Sequence, residues 1–498
     1  MTGWPRIIQG GMGAGVSSWK LARAVSSLGQ LGVISGIALD VILPRRLQDG
    51  DPDGSVRRAL ACFPITTMAD RILEKFFIPG GKAADAPYAT VPMHSLDSVR
   101  SLLELCIVGN FVEVYLAREG HDQPVGVNYL EKIQLPHLAS IYGAMLAGAA
   151  FVLMGAGIPT KIPGVLDRFV HHEKATYDVT VTGTRDGETA TLSFDPRDYV
   201  DIDLPPLRRP WFLSIVSSNV LATTMLRRAN GSVDGFVVEN PAAGGHNAPP
   251  RAKGLLDAEG QPVYGEKDAV DLRRIGELGK PFWIAGGMAS QERLREALAL
   301  GAAGVQVGTA FALCDESGLR EDLRRELLRQ SVDGATRVHT DPLASPTGFP
   351  FKVARIDDSL SEADVYEARD RVCDLGFLRE AYRKEDRTIG FRCSAEPVEL
   401  YGRKGGAVED TFGRKCLCNA LMANIGMGQL RHGLPELPLV TAGDDLRTIA
   451  RFIPPGQETY SARDVVEKIL GESAPAGPIA FQGHRSEYHW KPFHARRV

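Results

Sequence analysis

The stretch PFWIAGGMASQERLREAL, residues 281–298, decides the fold. It opens as a short unbroken apolar run, the pattern of a strand with both faces covered. Gly286 and Gly287 end the run. Ser290 then stands where a hydroxyl would cap the open N–H groups of the amphipathic helix that follows. The same unit, an apolar run passing through a glycine or polar turn into a helical pattern, recurs along the first 310 residues. The runs are RIIQGG from Arg6, QLGVISG from Gln30, PVGVNY from Pro124, FVLMGAG from Phe151, WFLSIVSS from Trp211, GFVVEN from Gly235, PFWIAGG from Pro281 and GVQVGTA from Gly304. Eight continuous apolar strands alternating with helices predict an α/β fold, a closed (β/α)8 barrel rather than an open sheet. The C-terminal ends of its strands would build the site. Those ends carry Gly10, Gly11, Asn128, Gly155, Ser217, Asn240, Gly286, Gly287, Gly308 and Thr309.

Two regions depart from the repeat. KATYDVTVTGTRDGETATLSF alternates with period two around Arg185-Asp186-Gly187, which predicts a hairpin inserted within about residues 165–210. Beyond about residue 350 the rhythm stops. Residues 351–498 are too apolar for a free tail and are read as a mostly helical extension packed on a barrel formed by residues 1–350.

The composition narrows the function. Of 498 residues 44% are hydrophobic and 24% charged, and the net charge is -4, with no basic stripe for nucleic acid or an anionic membrane. The expected partner is a small molecule. No signal-peptide pattern opens MTGWPRIIQGG and no window approaches 18 apolar residues, so the expected address is cytoplasmic. Seven cysteines are too sparse for a disulfide framework. Cys416-x-Cys418, with Cys373 and Cys393 far upstream, lacks the paired spacing of zinc sites; these are read as buried free thiols, and no metal is expected. His171 and His172 are read as solvated, and His484, His489 and His494 as packing residues of the tail.

Glycine pairs after strands seven and eight are where barrels bind phosphate, because backbone N–H groups converge there beside a helix N-terminus. Gly286 with Gly287, and Gln306, Gly308 and Thr309, occupy those places. The first glycine cluster, GGMGAG, is not a dinucleotide fingerprint: G-x-G-x-x-G begun at Gly11 would need glycine where Val16 stands, and begun at Gly10 it meets Met12. In NPAAGGHNAPP, after strand six, His246 follows two glycines that allow close approach, and Pro249 and Pro250 fix the exit. An imidazole there, titrating near neutrality, would stabilise an anion when protonated or accept a proton from carbon when neutral.

IIQGGMGAGVSSWKLARAVSSLGQLGVISG, PVGVN, AGGH, FWIAGGM and VQVGTAF, in that order, resemble the nitronate monooxygenase (2-nitropropane dioxygenase-like) family of FMN-dependent TIM barrels, across most of residues 1–350. The family is related to FMN-dependent enoyl reductases. The resemblance implies an FMN held by Gly11, Met12, Asn128, Gly245, Gly286, Gly287, Gln306, Gly308 and Thr309, with His246 catalytic. In PVYGEKDAVDL, Tyr264, Gly265 and Lys267 stand where smaller members place a flavin-contacting glutamine, which makes Lys267 the candidate for that contact. GGHRG becomes GGHNAPPR, so the first arginine is Arg251. The implied activity is oxidation of alkyl nitronates with O2, without nicotinamide. The competing readings are an NAD(P)H-dependent enoyl-thioester reductase of fatty-acid or polyketide type and a flavin-binding scaffold without turnover. The expected partners are the small-molecule substrate and O2, and assembly as a homodimer is left open.

Overall fold

The computed structural model describes residues 3–183, 189–252 and 254–471. The turn Arg185-Asp186-Gly187 and the tail histidines His484, His489 and His494 lie outside the described residues. All eight apolar runs form strands: β1 (Ile7–Gln9), β2 (Gly32–Ser35), β3 (Val125–Leu130), β4 (Phe151–Gly155), β5 (Trp211–Val216), β6 (Gly235–Glu239), β7 (Phe282–Ala285) and β8 (Gly304–Val307). Neighbours pair in parallel from β2 round to β8 and on to β1, and a parallel bridge from Ile8 to Leu31 joins β1 to the start of β2. The sheet therefore closes as a (β/α)8 barrel.

Alternation along each strand sends one set of side chains inward and the other to the helices. The inward set, including Ile8, Leu31, Val33, Phe151, Leu153, Leu213, Val237 and Trp283, forms a separate buried cluster that fills the barrel. Trp4 closes its lower end, edge-on to Trp211 at 5.2 Å and to Trp283 at 5.8 Å, while the Trp283 indole N–H donates to the Pro5 carbonyl at 2.8 Å. Large side chains plug the N-terminal end. The glycines at the other ends of the strands leave the mouth open.

Four helices, Leu39–Gln48, Ser55–Ala61, Thr66–Phe76 and Arg100–Arg118, separate β2 from β3. Among the described residues no helix is long and apolar enough to cross a membrane. The inserted hairpin pairs Ala175–Thr182 with Thr189–Phe194 in antiparallel register. His172, read as solvated, instead lies half-buried between the Tyr142 hydroxyl at 2.8 Å and the Pro205 carbonyl at 3.0 Å.

The chain beyond β8 covers the barrel mouth. Phe351–Ala354 pairs with Val338–Asp341 on one side and with Gly245–His246 on the other, so the histidine loop becomes a sheet edge. A hairpin of Glu380–Arg383 and Ile389–Arg392 adds to the inserted one through a parallel pairing of Ala381 with Val181, and the four strands form one sheet. Helix Leu417–Asn424, the 3-10 segment Asp444–Phe452 and helix Ala462–Leu470 complete the cover. The Tyr460 hydroxyl fixes it to the Ala310 carbonyl at 2.8 Å.

Candidate active site

The strand ends and the cover enclose a cavity of about 250 Å³. Ten of the eleven site residues read from the sequence line it: Gly11, Met12, Asn128, Gly245, His246, Gly286, Gly287, Gln306, Gly308 and Thr309. Lys267 is not among them. It sits exposed on the 3-10 turn Glu266–Asp268, and this turn ties down the outer exit of the histidine loop through Asp268, which accepts the Arg251 N–H at 2.8 Å.

Local bonds shape the glycine loops. The buried Gln9 amide holds the first, accepting the Val33 N–H at 3.0 Å and donating to the Ser17 hydroxyl at 2.9 Å, while that hydroxyl accepts the Met12 N–H at 2.9 Å. A Cβ on Gly11 would stand 2.3 Å from that of Asn128, so only glycine lets the loop after β1 lie against Asn128 of β3. Gly286 has φ +98 and Gly287 φ +65, and Asn240 donates to the Gly286 carbonyl at 2.9 Å while accepting the Ala242 N–H at 2.8 Å. Ser290 caps the next helix as its sequence position predicts, accepting the Arg293 N–H at 3.2 Å.

These residues leave a polar group and open wall for a bound flavin. The Gln306 Oε1 is buried on the cavity wall without a protein partner, an acceptor left for a ligand N–H. A Cβ on Gly308 would meet nothing nearer than the Met12 sulfur at 3.6 Å, so the backbone there faces open space. The adjoining Thr309 hydroxyl is engaged from above, accepting the Gly443 N–H at 2.9 Å.

The cover sets the position of His246. Its Nε2 lies 2.7 Å from the Ser345 hydroxyl, which in turn meets the Thr347 hydroxyl at 2.8 Å. The ring stands edge-on to Phe351 at 4.9 Å, and the Gly245 N–H donates to the Thr441 hydroxyl at 2.6 Å. When Ser345 donates to Thr347, Nε2–H donates to Ser345 and the Nδ1 lone pair remains for substrate. Burial, helped by the charge of Lys132, pushes the His246 pKa down to about 4. This corrects the expectation of titration near neutrality: at pH 7 the ring is neutral, a base rather than a cation.

Sequence reading missed three carboxyl and hydroxyl groups here. Glu239, the last residue of β6, lines the cavity, and burial raises its pKa to about 7 against the opposing pull of Lys352. A charged residue ending the run GFVVE was the available signal. Asp445 lines the cavity beside Thr309, its carboxyl also raised by burial. Ser345 and Asp445 come from the cover, whose pairing with the mouth leaves no local mark in the sequence.

A (β/α)8 barrel with glycine loops after β7 and β8 and a half-buried, neutral histidine after β6 is thus the class that fold and site define. Residues 211–341, which span β5 to β8 and the histidine loop, match the family model described as nitronate monooxygenase, and the resemblance read from the motifs is borne out there. A probable nitronate monooxygenase of Bacillus subtilis (strain 168) is 30% identical over 132 residues, 25% of this chain and 36% of that protein. The (3aS,4S,5R,7aS)-5-hydroxy-7a-methyl-1-oxo-octahydro-1H-indene-4-carboxyl-CoA dehydrogenase of Mycobacterium tuberculosis (strain ATCC 25618 / H37Rv) is 31% identical over 127 residues, 25% of this chain and 30% of that protein. The chain matches about a third of the length of these relatives. Among solved structures, FabK from Thermotoga maritima aligns with a TM-score of 0.45 at 17% identity, covering 94% of this chain and 92% of that one.

Proposed function

We propose that the chain is an FMN-dependent oxidoreductase that oxidises alkyl nitronates with O2. The observation that carries this reading is the convergence, on one cavity, of the β7 and β8 glycine loops, the unpartnered Gln306 oxygen and the neutral His246. Gly286, Gly287 and Gly308 would hold the phosphate through backbone N–H groups, and Gly11, Met12, Asn128, Gly245, Gln306 and Thr309 would line the rest of the cofactor. FMN would supply the electron chemistry. His246, neutral and held at Nε2 by Ser345, would take the α-proton of a neutral nitroalkane on Nδ1. The cover over the mouth would exclude bulk water, and Lys132 beside His246 would favour an anionic substrate.

One observation favours a second reading, reduction of an enoyl thioester. The roof of the cavity is apolar, built of Phe377, Leu378, Leu417, Leu421 and Val440, a surface suited to an acyl chain. One relative is a dehydrogenase whose name gives a CoA thioester as its substrate. In that reading His246 would act as the acid that protonates the enolate carbon, a role its low pKa disfavours at pH 7. Anaerobic mixing of the yellow protein with propyl nitronate, and separately with NADPH, decides between them. Flavin bleaching by nitronate alone supports the first reading; rapid bleaching by NADPH overturns it in favour of the second.

A further inference from the structure

The loop that carries His246 stands between two cavities. Its residues Ala242 to His246 line the active-site cavity, whereas Asn247, Ala248, Pro249 and Arg251 line a second, polar cavity of about 190 Å³ at the C-terminal ends of β5 and β6. Glu239 borders both. Resting on the nitronate reading, we propose that Glu239 is the proton exit of the active site, taking the substrate's α-proton from His246 and passing it to water in the second cavity.

The second cavity is built to hold water. Asn247 is 1% exposed and its Oδ1 has no protein partner, while its amide donates to the Ala243 carbonyl at 3.1 Å and its backbone N–H to the Pro350 carbonyl at 2.9 Å. That acceptor is fixed in place and left for a donor. Ser217, Ser218, Tyr264 and Asp268 add polar groups to the lining, and the exposed Pro249 and Arg251 put its rim at the surface. A polar cavity of this size with a buried, unmatched acceptor takes ordered water. The active-site cavity lies under the cover, so a proton left on His246 needs a route out.

Glu239 is the group on that route able to carry one. Its neighbour Asn240 is an amide already committed to the Gly286 carbonyl at 2.9 Å and the Ala242 N–H at 2.8 Å. Lys352, bound to the Pro241 carbonyl at 2.6 Å and to Asp444 at 2.8 Å, turns positive charge toward Glu239 and partly offsets its burial. The carboxyl is thus poised at about 7, whereas burial and the charge of Lys132 hold His246 at about 4, so the proton moves downhill from nitrogen to oxygen. The steps balance without a redox partner. The substrate C–H bond breaks as N–H forms on His246 Nδ1, and the electron pair stays with the nitronate. That N–H then breaks as O–H forms on the Glu239 carboxylate, which restores the neutral imidazole. The carboxylic acid gives its proton to water and is a carboxylate again.

The test compares wild type with Glu239→Gln, which keeps the shape and accepts no proton, and with Ser217→Leu, which fills part of the second cavity. On a neutral nitroalkane both should lose steady-state turnover by about tenfold or more, with a smaller loss on the preformed nitronate, which brings no proton to export. Added formate should restore part of the Glu239→Gln rate. Infrared spectra of the flavin-loaded wild type need no turnover: a protonated-carboxyl band, absent from Glu239→Gln, should fade as pH rises through about 7 and shift at once in D2O. With an active wild type, equal losses on the two substrates, no loss, or a carboxyl band slow to exchange overturns the proposal alone. A wild type that acts on neither substrate overturns the nitronate reading, and the proposal with it.

Discussion

Replacing Glu239 by glutamine tests whether the end of β6 is as dry as the structure makes it. Burial lifts the carboxyl from an ordinary 4.5 to about 7. At about 1.4 kcal/mol per tenfold change in proton affinity, that lift corresponds to roughly 3 kcal/mol between the charged and neutral forms. Between pH 4.5 and 7 the folded chain holds a proton that the unfolded chain has released, so stability falls as pH rises through that window and stays lower above it. Glu239→Gln has no such proton to lose. Its stability relative to wild type should therefore rise by up to about 3 kcal/mol from pH 4.5 to 7 and then level off, less whatever cavity water screens. Urea unfolding of both proteins at matched flavin occupancy, from pH 4.5 to 9, measures the difference. Parallel curves over the whole range would refute the reasoning and mean that Glu239 is solvated.

His246→Ala should keep FMN and fold yet lose turnover by roughly 10²–10⁴-fold on a neutral nitroalkane, with a smaller loss on the preformed nitronate, as steady-state rates on both forms would register. Because the His246 pKa is held at about 4, kcat/KM should show no acid limb from this group near 6.5 and should fall only below about pH 5; Lys132→Gln, which removes the repelling charge, should move that limb upward. Gly308→Asp should weaken FMN binding far more than folding, since a Cβ has room there and the new carboxylate repels the phosphate; flavin titration beside thermal melting separates the two.

Strands were legible because each is a local event. A run such as FVLMG, covered on both faces, declares itself by composition, and the glycine that follows marks the turn at the mouth. Ten of the eleven chosen site residues lie on the strands or the turns at the barrel mouth and meet at one cavity, while Lys267 was chosen from a family position and stands in an exposed turn. What escaped the reading depends on chain segments far apart. Phe351 pairs with His246 across more than a hundred residues, Ser345 reaches the imidazole from the same cover, and Ala381 joins the inserted hairpin across two hundred. The cysteines are free thiols, as their spacing implied, but only the fold shows Cys373 and Cys393 packed beside Cys416 and Cys418. The histidine pKa was misjudged because burial by Phe351 and Ser345 is not written beside it.

The measurement closest to the central claim is the identity of the flavin. Protein purified without added cofactor is denatured, and the released chromophore is separated by chromatography against FMN, FAD and riboflavin. The phosphate site proposed at β7 and β8, with no dinucleotide fingerprint after β1, predicts FMN, released without covalent attachment, and its loss on substitution at Gly308. FAD, a flavin that stays on the denatured chain, or a folded protein that neither carries nor takes up FMN would contradict the account.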